Sequence, residues 1–193
     1  MRPLPFVWPY ALLFWSVHLW AFWPEFRIVR EGRRNATAQD ARSVQVITWG
    51  LWLAYVGGYL MAGMGWLPFT AHREAIFFLG LATLVAGALL RRHCWRMLGA
   101  SFTGDVRARE GQEVVSRGAY TWLRHPSYTA GTLMNVGIGL ALGSWGATLL
   151  LLVASLVVYA YRIQVEERAL RAVLGERYAA FARTRKRLIP FLY

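Results

Sequence analysis

The stretch Pro126–Tyr161, PSYTAGTLMNVGIGLALGSWGATLLLLVASLVVYAY, contains no charged residue, and Arg124-His125 and Arg162 stand at its two ends. An apolar run of this length belongs in lipid. Gly143-Ser144-Trp145-Gly146 interrupts it with a turn, so it reads as two antiparallel helices of about 15 residues, each about 22 Å long and short of the ~30 Å hydrocarbon core. The spacing predicts a short hairpin that only just spans. Pro126 pre-sets φ for the first helical turn, and it pushes His125 out of the helical region to the mouth of that helix. A helix N-terminus at a membrane surface favours an anionic group. Asn135 reads as hairpin packing and Ser127 as first-turn chemistry.

Working towards the N-terminus, Arg96–Leu123 is polar and glycine-punctuated, with Asp105, Glu110 and a β-like Glu113-Val114-Val115 run. A loop of this length between membrane elements argues for function. Ala75–Leu90 reads as a membrane span of only 16 residues, extended by the snorkelling stems of Arg91 and Arg92. Val44–Leu67 is a second span, closed by Pro68, with Gly57, Gly58, Gly63 and Gly65 suited to close helix packing. Pro3–Pro24, uncharged and aromatic, is a first span rather than a cleaved leader, with His18 as an interhelical hydrogen-bonder. Beyond Tyr161 the second hairpin arm continues into Arg162, Glu166 and Glu167, then into an amphipathic tail laid on the membrane as a surface helix.

Composition agrees with a lipid-embedded chain. Of 193 residues, 56% are hydrophobic and 15% aromatic, and charge is confined to blocks. The net charge of +12 comes from loops, where positive-inside bias and anionic headgroups account for it and no nucleic-acid partner is needed. Of the 22 Lys and Arg, all but Arg2 and Arg73 fall in the first loop, the third loop or the tail. The expected fold is therefore all-α: a polytopic integral membrane protein of about five helical elements, N-terminus outside and C-terminus inside, with a C-terminal surface helix. It forms one membrane domain, with 1–74 the first two helices and their loop, and 75–193 a core made of loop 91–127, hairpin 128–161 and helix 162–193. Arginine is used almost to the exclusion of lysine, Lys186 being alone, a habit of GC-rich prokaryotic genomes, so the membrane is expected to be a prokaryotic plasma membrane with the motif face in the cytoplasm.

Antiparallel arms bring the hairpin's ends together, so Arg124, His125 and Tyr128 should meet Arg162, Glu166 and Glu167. Arg162 and Glu166, four apart on one helix face, can form an ion pair or cradle a zwitterion. Cys94 is the only cysteine, which excludes an intrachain disulfide and a cysteine cluster. The four histidines show no metal-ligand spacing, so no metal is expected. No Walker loop or dinucleotide glycine fingerprint follows a strand signal.

The combination Gly118-x-Tyr120, Arg124-His125-Pro126-Ser127-Tyr128-x-x-Gly131, a hairpin, then Arg162-x-x-x-Glu166-Glu167-x-x-Leu170, Gly175, Tyr178, Phe181 and Pro190 resembles the isoprenylcysteine carboxyl methyltransferase family, integral membrane enzymes related to phospholipid methyltransferases. The likeness runs from the third span to the C-terminus. It implies S-adenosyl-L-methionine as cofactor, held by Gln112, Glu113, Val114, Val115, Tyr120, His125, Pro126, Ser127, Tyr128 and Glu166. It implies catalytic roles for Arg162 and Glu166, with Arg162 and Glu167 towards the acceptor. The chain departs from the eukaryotic members in lacking their extra N-terminal helices and in carrying Gln112 where a histidine is expected.

The implied reaction is methyl transfer to a lipophilic acceptor entering from the bilayer, an isoprenylcysteine-type carboxylate above all. Opposite charges cancel as the bond forms, so a water-poor site favours it. A phospholipid amine or lipid phenol is the alternative within the class, and would need a base such as His125 or Glu167. Outside the class stand a sterol-reductase-like NADPH enzyme and a non-catalytic membrane subunit.

Overall fold

The protein is described by a computed structural model covering residues 2–34, 40, 42–99, 106, 108 and 111–188. Among these residues the structure is helical throughout: α1 (Tyr10–Arg34), α2 (Ser43–Gly63), α3 (Arg73–Leu98), α4 (Pro126–Leu142), α5 (Trp145–Leu174) and α6 (Glu176–Arg183), with 3-10 turns at Leu4–Phe6 and Gly118–Thr121. The β-like run at Glu113–Val115 forms neither helix nor strand. Three helices, α2, α3 and α5, are long and apolar enough to cross a membrane.

Five helices run between the same two faces. α1 and α3 are parallel, because the Tyr10 hydroxyl donates to Glu74 Oε1 (2.7 Å) at one end and Arg91 pairs with Glu25 at the other. α2 is antiparallel to α5, with Gly50 against Val158 and Gly58 against Ala147 and Leu151. α4 and α5 are also antiparallel: Asn135 Nδ2 donates to Ser155 Oγ (2.8 Å), and Gly139 lies on the backbone of Thr148.

Side-chain size explains how closely α3 and α4 approach. A Cβ on Gly137 would stand 2.6 Å from the Leu84 nitrogen and 2.7 Å from the Gly80 carbonyl, and one on Gly87 would stand 2.8 Å from the Ala130 carbonyl. Backbone meets backbone here, as small residues permit in membrane helix pairs. Gly63 and Gly65, expected to serve packing, face open space. The turn between α4 and α5 holds at Gly143 (φ 76°), and Ser144 caps α5 by accepting from the Ala147 N–H (3.2 Å) while donating to the Trp66 carbonyl (2.8 Å).

Several boundaries differ from the sequence reading for identifiable reasons. Pro24 lies inside α1 and does not end it, as proline in a membrane helix can. α3 has 26 residues and needs no stretching. Arg91 and Arg92 have protein partners: Arg91 bonds to Glu25 and to the Ser127 carbonyl (2.7 Å), and Arg92 sits 3.8 Å over the Trp20 ring. His18 makes no interhelical hydrogen bond through Nδ1, and its ring instead stacks on Phe22 (4.8 Å). The apolar arms of the hairpin, 126–142 and 145–161, are 17 residues each, and α5 runs on past Tyr161 to a total of 30 residues, about 45 Å.

The tail is the largest departure. α6 has only 8 residues, buries Tyr178 and Phe181, and ends at Arg183. The chain then turns back along the motif: the Arg124 and His125 N–H groups donate to the carbonyls of Lys186 (2.7 Å) and Arg187 (3.1 Å), and Thr129 Oγ1 donates to Leu188 O (2.6 Å). The expected surface helix is therefore a strap over the mouth of α4. Pro190, part of the family-like pattern, lies outside the described residues.

Candidate active site

At one face of the helix bundle α1 to α5, with α6, enclose a cavity of about 570 Å³. Its polar end is built by two local devices. Gly118 adopts φ 60°, and a Cβ there would come within 2.8 Å of His93 Nε2, so only glycine fits. That turn seats Tyr120 against Cys94 and Val115 at the C-terminal end of α3. Burial above all, with Cys94 and Glu166 adding, raises the Tyr120 phenol far above its usual range, so it is a neutral wall. The second device is the His125-Pro126 start of α4, held from outside by the strap and from inside by Arg91.

Two adjacent glutamates on α5 diverge because neighbouring residues on a helix point about 100° apart. Glu166 faces the cavity and accepts from the Tyr128 hydroxyl (2.7 Å). Glu167 does not line the cavity; it is buried among Arg124 (2.7 Å), Arg171 (3.1 Å) and Arg187 (3.4 Å), with His125 Nε2 at 3.3 Å. This corrects the expectation that Glu167 contacts an acceptor. Its carboxylate is engaged in holding strap, motif and α5 together.

Gln112, Glu113, Val114, Val115, Tyr120, His125, Ser127, Tyr128, Arg162 and Glu166 all line the cavity. Pro126 does not; it is buried as the first residue of α4, where it sets the backbone. His125, Tyr128 and Tyr159 form a ladder of stacked rings with centroids 5.7 and 5.1 Å apart. Gly131 exists for this ladder, since a Cβ there would collide with the Tyr159 hydroxyl.

Arg162 is 5% exposed and sits differently from expectation. Its Nη1 donates to Asp40 Oδ1 (2.5 Å) and Ser43 Oγ (2.5 Å), and its Nε donates to the Tyr128 hydroxyl (3.2 Å). The Tyr128 phenol thus mediates between Arg162 and Glu166. Asp40 was absent from the sequence reading. Burial would raise its carboxyl, but the N–H groups of Val106 and Val44, Arg162 and the Ser43 hydroxyl outweigh burial and hold it below the ordinary range. The available signal was Asp40-x-x-Ser43 before an apolar run, which reads as a helix start. Its partner Arg162 stands 122 positions away, beyond the reach of local patterning.

The three arginines of the cavity wall each have a carboxylate: Glu25 for Arg91, Glu167 for Arg124 and Asp40 for Arg162. Glu113 and Glu166 line the same end, and among the described residues neither pairs directly with an arginine. The other wall is apolar and aromatic, including Trp15, Phe22, Leu51 and Trp52.

Residues 75–177 match the family model for phospholipid methyltransferases. Protein-S-isoprenylcysteine O-methyltransferase B of Arabidopsis thaliana is 30% identical over 115 residues, 58% of this chain and 58% of that one. The protein-S-isoprenylcysteine O-methyltransferase of Tribolium castaneum is 27% identical over 59% of this chain and 41% of its own. The chain thus spans about half the length of these two relatives. A probable protein-S-isoprenylcysteine O-methyltransferase of Oryza sativa subsp. indica is 26% identical over 83% of this chain and 84% of its own. A solved structure of the eukaryotic intramembrane Ras methyltransferase ICMT has the same helical fold, with a TM-score of 0.61 and 23% identity over 75% of this chain and 52% of that chain. The family match runs from α3 into α6, more than half of the sequence and both polar corners of the cavity: the chain belongs to the phospholipid methyltransferase family, with isoprenylcysteine methyltransferases among its relatives.

Proposed function

We propose that the protein is an S-adenosylmethionine-dependent methyltransferase acting on a lipophilic acceptor, of isoprenylcysteine-carboxylate type, that enters from the bilayer. The observation that carries this reading is a single cavity with an acidic, tyrosine-walled end and an aromatic chamber. One end suits a small cation and the other a lipid chain.

The residues present fit the cofactor. Glu113 and Glu166 supply negative charge with no direct arginine partner among the described residues, Val114 and Val115 an apolar wall, and Tyr120 and Tyr128 aromatic faces for a cationic group. When bound, S-adenosylmethionine supplies a methyl on a sulfonium, and transfer to a carboxylate oxygen breaks the S–C bond, makes an O–C bond and leaves a neutral thioether and an ester. The chain's own contribution is alignment and exclusion of water. Arg162 orients the acceptor, and the stacked His125, Tyr128 and Tyr159 rings separate the reacting groups from the bundle core. Residues 75–193 form the core of the enzyme and 1–74 the acceptor-side wall. Five elements cross the membrane, with the polar end towards the cytoplasm.

A second acceptor class, an amine or phenol, has one observation in its favour: the hydrogen bond from Tyr128 to Glu166 gives a carboxylate that can take a proton through the phenol. Calorimetry on detergent-solubilised protein with S-adenosylhomocysteine and with NADPH tests the reading. Binding of the former alone is expected; NADPH alone indicates a reductase, and neither indicates a non-catalytic subunit.

A further inference from the structure

We propose that Asp40 is the internal counter-ion of Arg162 and a positioning and specificity residue for the acceptor, an inference that rests on the acceptor reading above. Asp40 is 1% exposed and has no oxygen to spare. Oδ1 accepts from Arg162 Nη1 (2.5 Å), the Ser43 hydroxyl (3.0 Å) and the Val106 N–H (3.0 Å), and Oδ2 from the Val44 N–H (3.2 Å). The pair therefore ties three places together: the first turn of α2, the arginine on α5, and Val106, which itself lines the cavity. The start of α2 adds the positive end of a helix dipole, which favours an ionised carboxylate there.

The consequence concerns charge. An acceptor carboxylate approaching Arg162 meets a guanidinium whose charge Asp40 already cancels, so it gains directed hydrogen bonds and little net Coulomb attraction. Glu166, on the far side of Tyr128, makes the surroundings less welcoming still to an anion. Affinity then comes from the lipid chain in the aromatic chamber, while Arg162 orients the head. The site discriminates by shape and hydrogen bonding, and it tolerates a neutral head group of carboxylate-like shape.

The test uses the full chain in detergent, with S-farnesylated N-acetylcysteine and its primary carboxamide as the two probes. The wild-type dissociation constants are expected to agree within about fivefold; a preference for the carboxylate beyond that overturns the proposal. Asp40→Asn unmasks the guanidinium, so the carboxylate preference should rise about tenfold, with KM for the carboxylate falling, kcat falling through lost orientation, and S-adenosylhomocysteine affinity unchanged. Asp40→Glu should restore the wild-type ratio. An unchanged ratio in Asp40→Asn overturns the proposal, since loss of a merely structural clamp lowers kcat without tightening an anion. Should Asp40→Asn fail to fold, the wild-type comparison decides alone. Binding of neither probe overturns the acceptor reading together with this inference, whereas probe binding at the stated ratios without S-adenosylhomocysteine binding overturns methyl transfer and supports the counter-ion.

Discussion

Glu166 and Glu167 are neighbours in sequence with separate surroundings, and their substitution should show it. Glu166→Gln removes a cavity carboxylate that is one-third exposed and has no direct arginine partner among the described residues, so the dissociation constant for S-adenosylhomocysteine should rise about tenfold with little loss of thermal stability. Glu167→Gln leaves Arg124 without its buried partner and weakens Arg187, at a cost of about 3 kcal/mol or more, read as a lower melting temperature. Arg162→Ala should impair acceptor turnover while leaving S-adenosylhomocysteine binding intact; equal loss of cofactor affinity in Arg162→Ala and Glu166→Gln would show that the division of labour is wrong. Asp40 adds a pH dependence. Its carboxyl is held below the ordinary value, so its contribution to stability is fully present above that value and is lost as pH falls through the depressed one. The melting-temperature gap between wild type and Asp40→Asn should hold steady from pH 8 to pH 5 and close only below about pH 4.

Among the elements, the α3–α4 crossing and the strap decide where the motif sits. Gly137→Leu forces a side chain into the backbone of Leu84 and Gly80, and overpacking of this kind costs about 1–3 kcal/mol or more. The expected outcome is a melting temperature lowered by several degrees and loss of monodispersity on gel filtration. The helices themselves were legible, because apolar length and charge blocks mark membrane elements without any tertiary information. The strap was not. Its bonds to Arg124, His125 and Thr129 come from the main-chain carbonyls of Lys186, Arg187 and Leu188, which any residue type supplies, while the Arg and Lys content of the segment reads as a membrane-facing surface. Arg185 anchors the strap at its turn, where it donates to the Tyr120 carbonyl (3.0 Å) and lies 4.5 Å over the Phe181 ring. Arg185→Ala should therefore speed amide exchange at residues 118–125 without altering exchange in α2.

At the scale of the whole molecule, the two faces of the bundle are chemically unlike, and that asymmetry was readable while its wiring was not. Charge segregation places the Arg91, Arg124 and Arg162 ends together, and the structure brings those ends to one cavity. Pairing within that face joins Glu25 to Arg91 and Asp40 to Arg162 across dozens of positions, and no local period encodes such partners. The opposite face is made by the Met64–His72 connection and the Gly143–Trp145 turn, which are bound to each other by Phe69 N–H to Gly143 O (2.8 Å) and Trp145 N–H to Leu67 O (2.9 Å). This predicts a definite orientation in the membrane, since cytoplasmic faces collect arginine. Single cysteines introduced at exposed Thr70, Arg117 and Arg171, with buried Cys94 as the unreactive background, should separate under an impermeant maleimide. Thr70→Cys is expected to label in intact cells, and Arg117→Cys and Arg171→Cys only after permeabilisation. Labelling of all three from the outside would break the link between the arginine-rich face and the cytoplasm, and would leave the acidic end of the cavity on the side where no intracellular methyl donor reaches it.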